Sequence, residues 1–149
     1  MTSRDPSDLE QALPRVFDAV LVDAPCTGQT LVSRGKQNVA AFSDAQIEHS
    51  AARQRRILSH AAAMVRPGGR IVYSTCTFAF DENEGVITEF LREHPSWTVE
   101  ECPALEQWRS PLAPGGYRLW PHRDRCAGAY AVRLRCKDSP GSQSGSVKH

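Results

Sequence analysis

Long apolar runs are missing from this 149-residue chain. No stretch approaches the roughly 20 consecutive apolar residues that span a bilayer. The opening MTSRDPSDLEQALPRV has no apolar centre of the signal-peptide kind. An excess of charge of one sign is missing too. Lys and Arg number 18 and Asp and Glu 17, for a formal net charge of +1. Whole-chain electrostatics therefore imply neither a nucleic-acid nor a membrane partner, and any anion site has to be local. Close cysteine pairs are absent: the five thiols lie at 26, 76, 102, 126 and 136, with no Cys-x-x-Cys. That argues against a zinc knuckle or a thioredoxin-type dithiol, and no metal site is expected. Free thiols in odd number fit a reducing compartment, so the expectation is a cytoplasmic protein without membrane contact.

What is present suits one domain of ordinary size. VFDAVLV (16–22) is a short β-rich run of the kind buried on both faces in parallel sheets. TGQTLVSRGKQNVAAF, which follows, reads as a loop. Ser43 stands three residues before Gln46, a capping-box spacing, and Ile47, Ala51, Leu58, Ala61, Ala62 and Val65 follow at helical intervals. This predicts an amphipathic helix of about five or six turns, stopped by Arg66-Pro67-Gly68-Gly69. RIVYST (70–75) is the next strand. Asp81 with Glu84 reads as a second helix start, Val86, Ile87, Phe90 and Leu91 as its buried stripe, and Pro95 as its end. WTVEE reads as a short strand, residues 102–116 as irregular, and YRLWPH and AGAYAVRLR as late antiparallel strands. Residues 1–14 read as a polar lead-in, 15–136 as the folded unit and 137–149 as a disordered tail. The order is that of an α/β fold.

Two strands end alike. VLVDAPCTG closes on Asp23 and Cys26, and IVYSTCT closes on Cys76. In open parallel sheets ligands sit beyond the carboxyl ends of the strands. If the two strands are neighbours, about 4.8 Å apart, both thiols face one crevice. An isolated cysteine most often packs as a small hydrophobe, and Cys102, Cys126 and Cys136 are read that way. Two thiols in equivalent polar turns fit nucleophilic chemistry instead. Lowering a thiol from about 8.5 to 7 takes about 2 kcal/mol, which turn N–H groups or a helix N-terminus can supply.

VLVDAPCTG, RQRRIL, VRPGGRIVYSTCTF, DENEGVITEFL and YRLWPH followed by AGAYAVRL stand in an order and spacing that resemble RNA cytosine-5 methyltransferases of the Sun/Nop type. The resemblance runs from about residue 15 to 136 and covers the C-terminal half of their catalytic domain. It implies a partial Rossmann-like class I methyltransferase sheet, S-adenosyl-L-methionine as methyl donor, and RNA, ribosomal or transfer, as substrate. It further implies that Cys76 is the nucleophile that adds to carbon 6 of cytosine, and that Cys26 assists product release. Asp23 is implied to lie beside the methionine end of the cofactor and near the target base. On the residues alone, Asp23 equally orders its own turn. Thr27 replaces the family's usual serine, and Gly128-Ala129-Tyr130 stands where Gly-Phe-Phe is common. The loop after Cys26 also lacks the family's arginine, proline and tryptophan spacing.

Basic residues gather locally. Arg34 and Lys36 are the candidate RNA contacts, because their loop follows Cys26. Arg53, Arg55 and Arg56 read as a solvated helix face, and Arg118, His122, Arg123 and Arg125 form a late group. Tyr73, Tyr117 and Trp120 read as packing residues. No glycine-rich turn follows a strand and opens a helix, as a nucleotide loop must: Gly68-Gly69 reads as a helix stop and Gly115-Gly116 lies among prolines. The expectation is a truncated domain that binds S-adenosylmethionine weakly and is inactive alone. Its missing N-terminal half would be a partner, and Val16–Val22 would form an exposed apolar edge. The rival readings are a non-catalytic RNA-binding or partner module of the same fold, an amino-methyltransferase, and a thiol redox or metal protein. Amino-methyltransferases carry [D/N]-P-P-[Y/F/W] where this chain has Asp-Ala-Pro-Cys.

Overall fold

The computed structural model describes residues 5–36 and 38–138. Most of the expected disordered tail therefore lies outside the described residues. Within the polar lead-in a helix forms, α1 (Pro6–Ala12), with Asp5 at its N-cap accepting from the Ser7 N–H (3.0 Å) and Pro6 in the first turn. Strand β1 (Phe17–Asp23) follows. The segment read as a loop winds into two 3-10 turns, Gln29–Arg34 and Val39–Phe42. Helix α2 (Asp44–Met64) starts where the capping box places it, with Ser43 Oγ accepting from the Gln46 N–H. Then come β2 (Val65–Thr75), α3 (Glu84–Glu93), β3 (Trp97–Val99), a 3-10 turn (Pro103–Trp108), β4 (Tyr117–Leu119), α4 (Pro121–Asp124) and β5 (Ala129–Cys136).

The fold is mixed α/β. One five-stranded sheet runs in the order β1-β2-β5-β3, with β4 also on β5. Strands β1 and β2 are parallel, and β5 is antiparallel to β2, β3 and β4, so the late strands reverse as the sequence suggests. Burial alternates along the strands. Ile71 and Tyr73 on β2 and Tyr130, Val132 and Leu134 on β5 pack under Ala51, Leu58 and Ala61 of α2 and Val86, Ile87 and Phe90 of α3. Among the described residues no helix is long and apolar enough to cross a membrane.

Three readings of the sequence are corrected here. Strand β1 is not buried on both faces: Val22 packs inward, but Leu21 on the other face is 71% exposed, because α2 and α3 both sit against the same side. Arg66-Pro67-Gly68-Gly69 is not a helix stop but a bulge inside β2, since Phe17 pairs Val65 while Ala19 already pairs Arg70. Glycine is needed there for room. A Cβ on Gly69 would stand 2.5 Å from a Val65 methyl and 2.8 Å from the Asp18 carbonyl. Finally, Asp81 does not cap α3. The cap is Asn83, whose side chain is taken by the preceding turn: it accepts from Thr75 Oγ1 and donates to the Thr77 carbonyl.

Candidate active site

Register decides the site. Asp23 pairs Ser74, and the Ala24 N–H extends the ladder to the Ser74 carbonyl (2.9 Å). Three residues beyond Asp23 and two beyond Ser74, the chains reach Cys26 and Cys76 at the same level. Their sulfurs lie 2.9 Å apart, and the Cys76 N–H also points at Cys26 Sγ (3.3 Å). Cys76 is exposed, whereas Cys26 is half-buried. Burial, together with the neighbouring thiol, pushes Cys26 up to about 12. At neutral pH Cys26 therefore keeps its proton, and its S–H lies within reach of the Cys76 sulfur. Asp23 is exposed at the end of β1 and accepts one hydrogen bond from Ser74 Oγ (3.2 Å).

The loop bearing Arg34 and Lys36 is tied to the Cys76 turn. Gly28 enters it in the left-handed conformation (φ 71°), which glycine adopts without strain. The Thr30 N–H then donates to the Cys76 carbonyl (3.2 Å). Gln29 is buried, accepting from the Phe78 N–H (3.0 Å) and donating to the Ala41 carbonyl (2.9 Å). Arg34 closes this 3-10 turn, roughly 8 Å along it from Thr30 at 2 Å per residue. Both Arg34 and Lys36 are exposed. The late basic group does not stay together. Arg118 is buried in an ion pair with Glu84, and Arg123 pairs Asp124. Tyr73 and Tyr117 are held by hydrogen bonds to Glu82 and Cys102, and Trp120 stacks on Phe78 with ring centres 5.6 Å apart. Tyr73 is fully buried, whereas Tyr117 and Trp120 are partly exposed and Tyr117 lines a shallow apolar cavity with Leu105 and Trp108.

A buried carboxylate that the sequence reading passed over sits behind the thiols. Glu82 accepts from the Thr27 N–H (3.0 Å), Thr27 Oγ1 (2.5 Å), Thr77 Oγ1 (3.3 Å) and Gln54 Nε2 (3.0 Å). Gln54 Nε2 donates in addition to the Pro25 carbonyl (2.9 Å). Signals for both were present. Gln54 falls on the apolar stripe between Ala51 and Leu58, where a polar side chain has to find a partner. Asp81, Glu82 and Glu84 crowd three acids into a helix start that needs one.

The whole described fold, including both cysteine turns, lies almost entirely within residues 1–135, which match the family described as 16S rRNA methyltransferase RsmB/F. The chain belongs to the RsmB/F family. It is 36% identical over 138 residues to ribosomal RNA small subunit methyltransferase F of Erwinia tasmaniensis, covering 91% of this chain and 29% of that protein. It is 38% identical over 120 residues to a putative methyltransferase of Mycobacterium tuberculosis, covering 80% and 26%. Among solved structures it superposes on NSun6 from Pyrococcus horikoshii with SFG, an analogue of S-adenosylmethionine, at a TM-score of 0.78 and 28% identity. That match covers 93% of this chain and 34% of the other. A methyltransferase homologue from the same organism gives a TM-score of 0.70 at 25% identity, covering 88% and 42%. The chain thus spans less than a third of the length of these two curated relatives.

Proposed function

We propose that this chain carries the cysteine half of an RNA cytosine-5 methyltransferase acting on ribosomal RNA, with Cys76 as nucleophile and Cys26 as the thiol that assists product release. The observation that carries the proposal is the contact of the two sulfurs, 2.9 Å apart, at the carboxyl ends of neighbouring parallel strands. One sulfur alone suffices for a redox-inert packing role. Two in contact, one exposed and one protonated, suit a reaction in which a thiolate must both attack and leave.

The Cys76 thiolate adds to carbon 6 of a cytosine splayed from its stem, forming a C–S bond and moving the ring electrons towards carbon 5. S-adenosylmethionine supplies an electrophilic methyl group when bound, and the exposed Asp23 carboxylate fits the ammonium of its methionine end. Once carbon 5 carries the methyl group, its proton passes to water at the exposed Cys76 turn. The carbon 5–carbon 6 double bond re-forms and the Cys76 sulfur leaves with the C–S electrons. The Cys26 S–H stands beside that sulfur and stabilises its negative charge as it departs. Arg34 and Lys36 hold RNA phosphates on the loop bonded to the Cys76 turn. Asp23 is the residue of this chain offered to the methyl donor, and no glycine-rich turn between a strand and a helix occurs among the described residues. Because the chain covers 29% of its Erwinia relative, full cofactor binding and turnover are assigned to these residues together with a further half, the proposed partner.

The test is a covalent trap on the longest product of the reading frame, using ribosomal RNA fragments with 5-fluorocytosine and S-adenosylmethionine. An adduct that survives denaturation is expected, absent in Cys76→Ala. In Cys26→Ala an adduct accumulates even with ordinary cytosine, because release is slowed. The isolated chain gives none. An adduct that persists in Cys76→Ala overturns the assignment, and no adduct in any variant favours a non-catalytic RNA-binding module.

A further inference from the structure

We propose that Glu82 is the positioning residue of the thiol pair: its buried carboxylate fastens the turn of Cys26 to the turn of Cys76 and so holds the two sulfurs in contact. The proposal rests on the reading of those thiols as the reacting pair, and it adds a group that touches neither sulfur.

The hydrogen bonds divide by turn. From the Cys26 side come the Thr27 N–H and Thr27 Oγ1; from the Cys76 side comes Thr77 Oγ1, which also lies 3.1 Å from Thr27 Oγ1. Glu82 is thus bonded to the residue following each cysteine. From α2, Gln54 Nε2 reaches both the carboxylate and the Pro25 carbonyl, bracketing Cys26 from its other side. The backbone of Glu82 is fixed as well, its carbonyl accepting from Tyr73 Oη (2.8 Å). Glu82 and Thr77 are almost fully buried, with exposures of 0% and 1%, so water does not compete for these bonds.

The chemistry asks for a carboxylate. The Thr27 N–H and Gln54 Nε2 both meet Glu82 Oε2, and neither can reverse its role: one is backbone, and the other is committed to the Pro25 carbonyl. The two hydroxyls meet Oε1. Four donors on two oxygens match an acceptor-only group. An amide keeps one oxygen for Oε2 and forces both hydroxyls to turn. A methyl group at this position loses all four bonds.

The test uses the purified chain, without RNA or methyl donor. Diamide takes two electrons and two protons from a thiol pair as it is reduced to the hydrazine, and peptide mass mapping reads closure of the Cys26–Cys76 disulfide. The rate of iodoacetamide labelling at Cys26 reads how well its turn shields that half-buried sulfur. Glu82→Ala and Thr27→Val are expected to slow closure about 10- to 100-fold, the scale of a displacement near 1 Å. They should also speed labelling of Cys26, because a loosened turn exposes its half-buried sulfur. Glu82→Gln recovers part of both. Ile87→Val, in the core of α3, lowers the melting temperature and leaves both readouts unchanged. Wild-type closure in a folded Glu82→Ala or Thr27→Val overturns the proposal. So does equal slowing in Ile87→Val, which would mean general loosening. If Glu82→Ala does not fold, Thr27→Val decides alone. Failure here leaves the methyl-transfer reading standing, whereas failure of the covalent trap with these readouts intact leaves Glu82 as the clasp of two contacting thiols that do not react with RNA.

Discussion

At the scale of single residues, the site is supported by a second buried acid. Glu84, at the start of α3, turns inward to Arg118, whose Nε donates to its Oε1 (2.6 Å) and whose Nη2 donates to its Oε2. Ser110 Oγ donates to the same carboxylate (2.6 Å). Arg118 also donates to the Phe78 carbonyl (3.2 Å), two residues beyond Cys76, and lies over the rings of Trp120 (5.4 Å) and Tyr130 (5.5 Å). The pair thus braces the segment that follows Cys76 against β4 and β5. Arg118→Met removes the cation and strands a buried carboxylate, with an expected loss of about 3–5 kcal/mol in urea unfolding. Glu84→Gln combined with Arg118→Met removes both charges of this pair and should recover much of that loss. The thiols were legible in the sequence because each ends an apolar run, and that position does not depend on distant residues. Glu82, Glu84 and Arg118 were not, because their partners are 28 to 55 residues away for Glu82 at Gln54 and Thr27, and 34 residues apart for the buried pair. A run of acids before a helix reads as capping until the fold shows which of them turn inward.

At the scale of elements, helix α2 was legible almost to the residue. Its cap is a local bond between Ser43 and Gln46, and its apolar stripe repeats at the helical interval. The bulge in β2 was not, because proline and paired glycines after a helix send the same signal whether the chain stops or bends. The structure separates the two: the helix ends at Met64 and the strand begins at Val65, so there is no loop to punctuate. The bulge has a packing role. It lets β2 regain register with β1 after Arg66–Gly69, which sets Asp23 opposite Ser74 and hence the two sulfurs level with each other. Gly69→Ala places a methyl group against the Asp18 carbonyl, which cannot swing away as a side chain can. The expected cost is about 1–3 kcal/mol by the usual scale of overpacking. Because the strain lies between the paired strands, it should also slow diamide closure of Cys26 and Cys76. A variant as stable as the parent would remove the bulge from this account.

At the scale of the whole molecule, the sheet is clothed on one side. On the other, Leu21 and Val72 face each other across the parallel pair, 71% and 37% exposed, with Phe17 nearby on β1. The far end of the same face is polar: Glu100 is ringed by Arg70, Arg133 and Arg135, which hold its carboxyl below the usual carboxylate range. Apolar surface on this face therefore lies in two places: at β1, the strand that ends the sheet and carries Asp23 towards the site, and at β4 and β5, where Tyr117, Leu119 and Ala131 line a cavity with Leu105 and Trp108. An end strand with open N–H and C=O groups beside exposed Leu and Phe invites pairing with another chain. The isolated chain is expected to self-associate as concentration rises, read by sedimentation velocity. Leu21→Lys puts a charge on that face without touching the core under α2 and α3. It should shift the population towards monomer while leaving urea stability within about 0.5 kcal/mol, the usual range for a surface exchange. The thiol pair lies beyond the end of the strand, so its closure rate should also be unchanged. Self-association that survives Leu21→Lys would place the adhesive surface elsewhere than the bare face of β1.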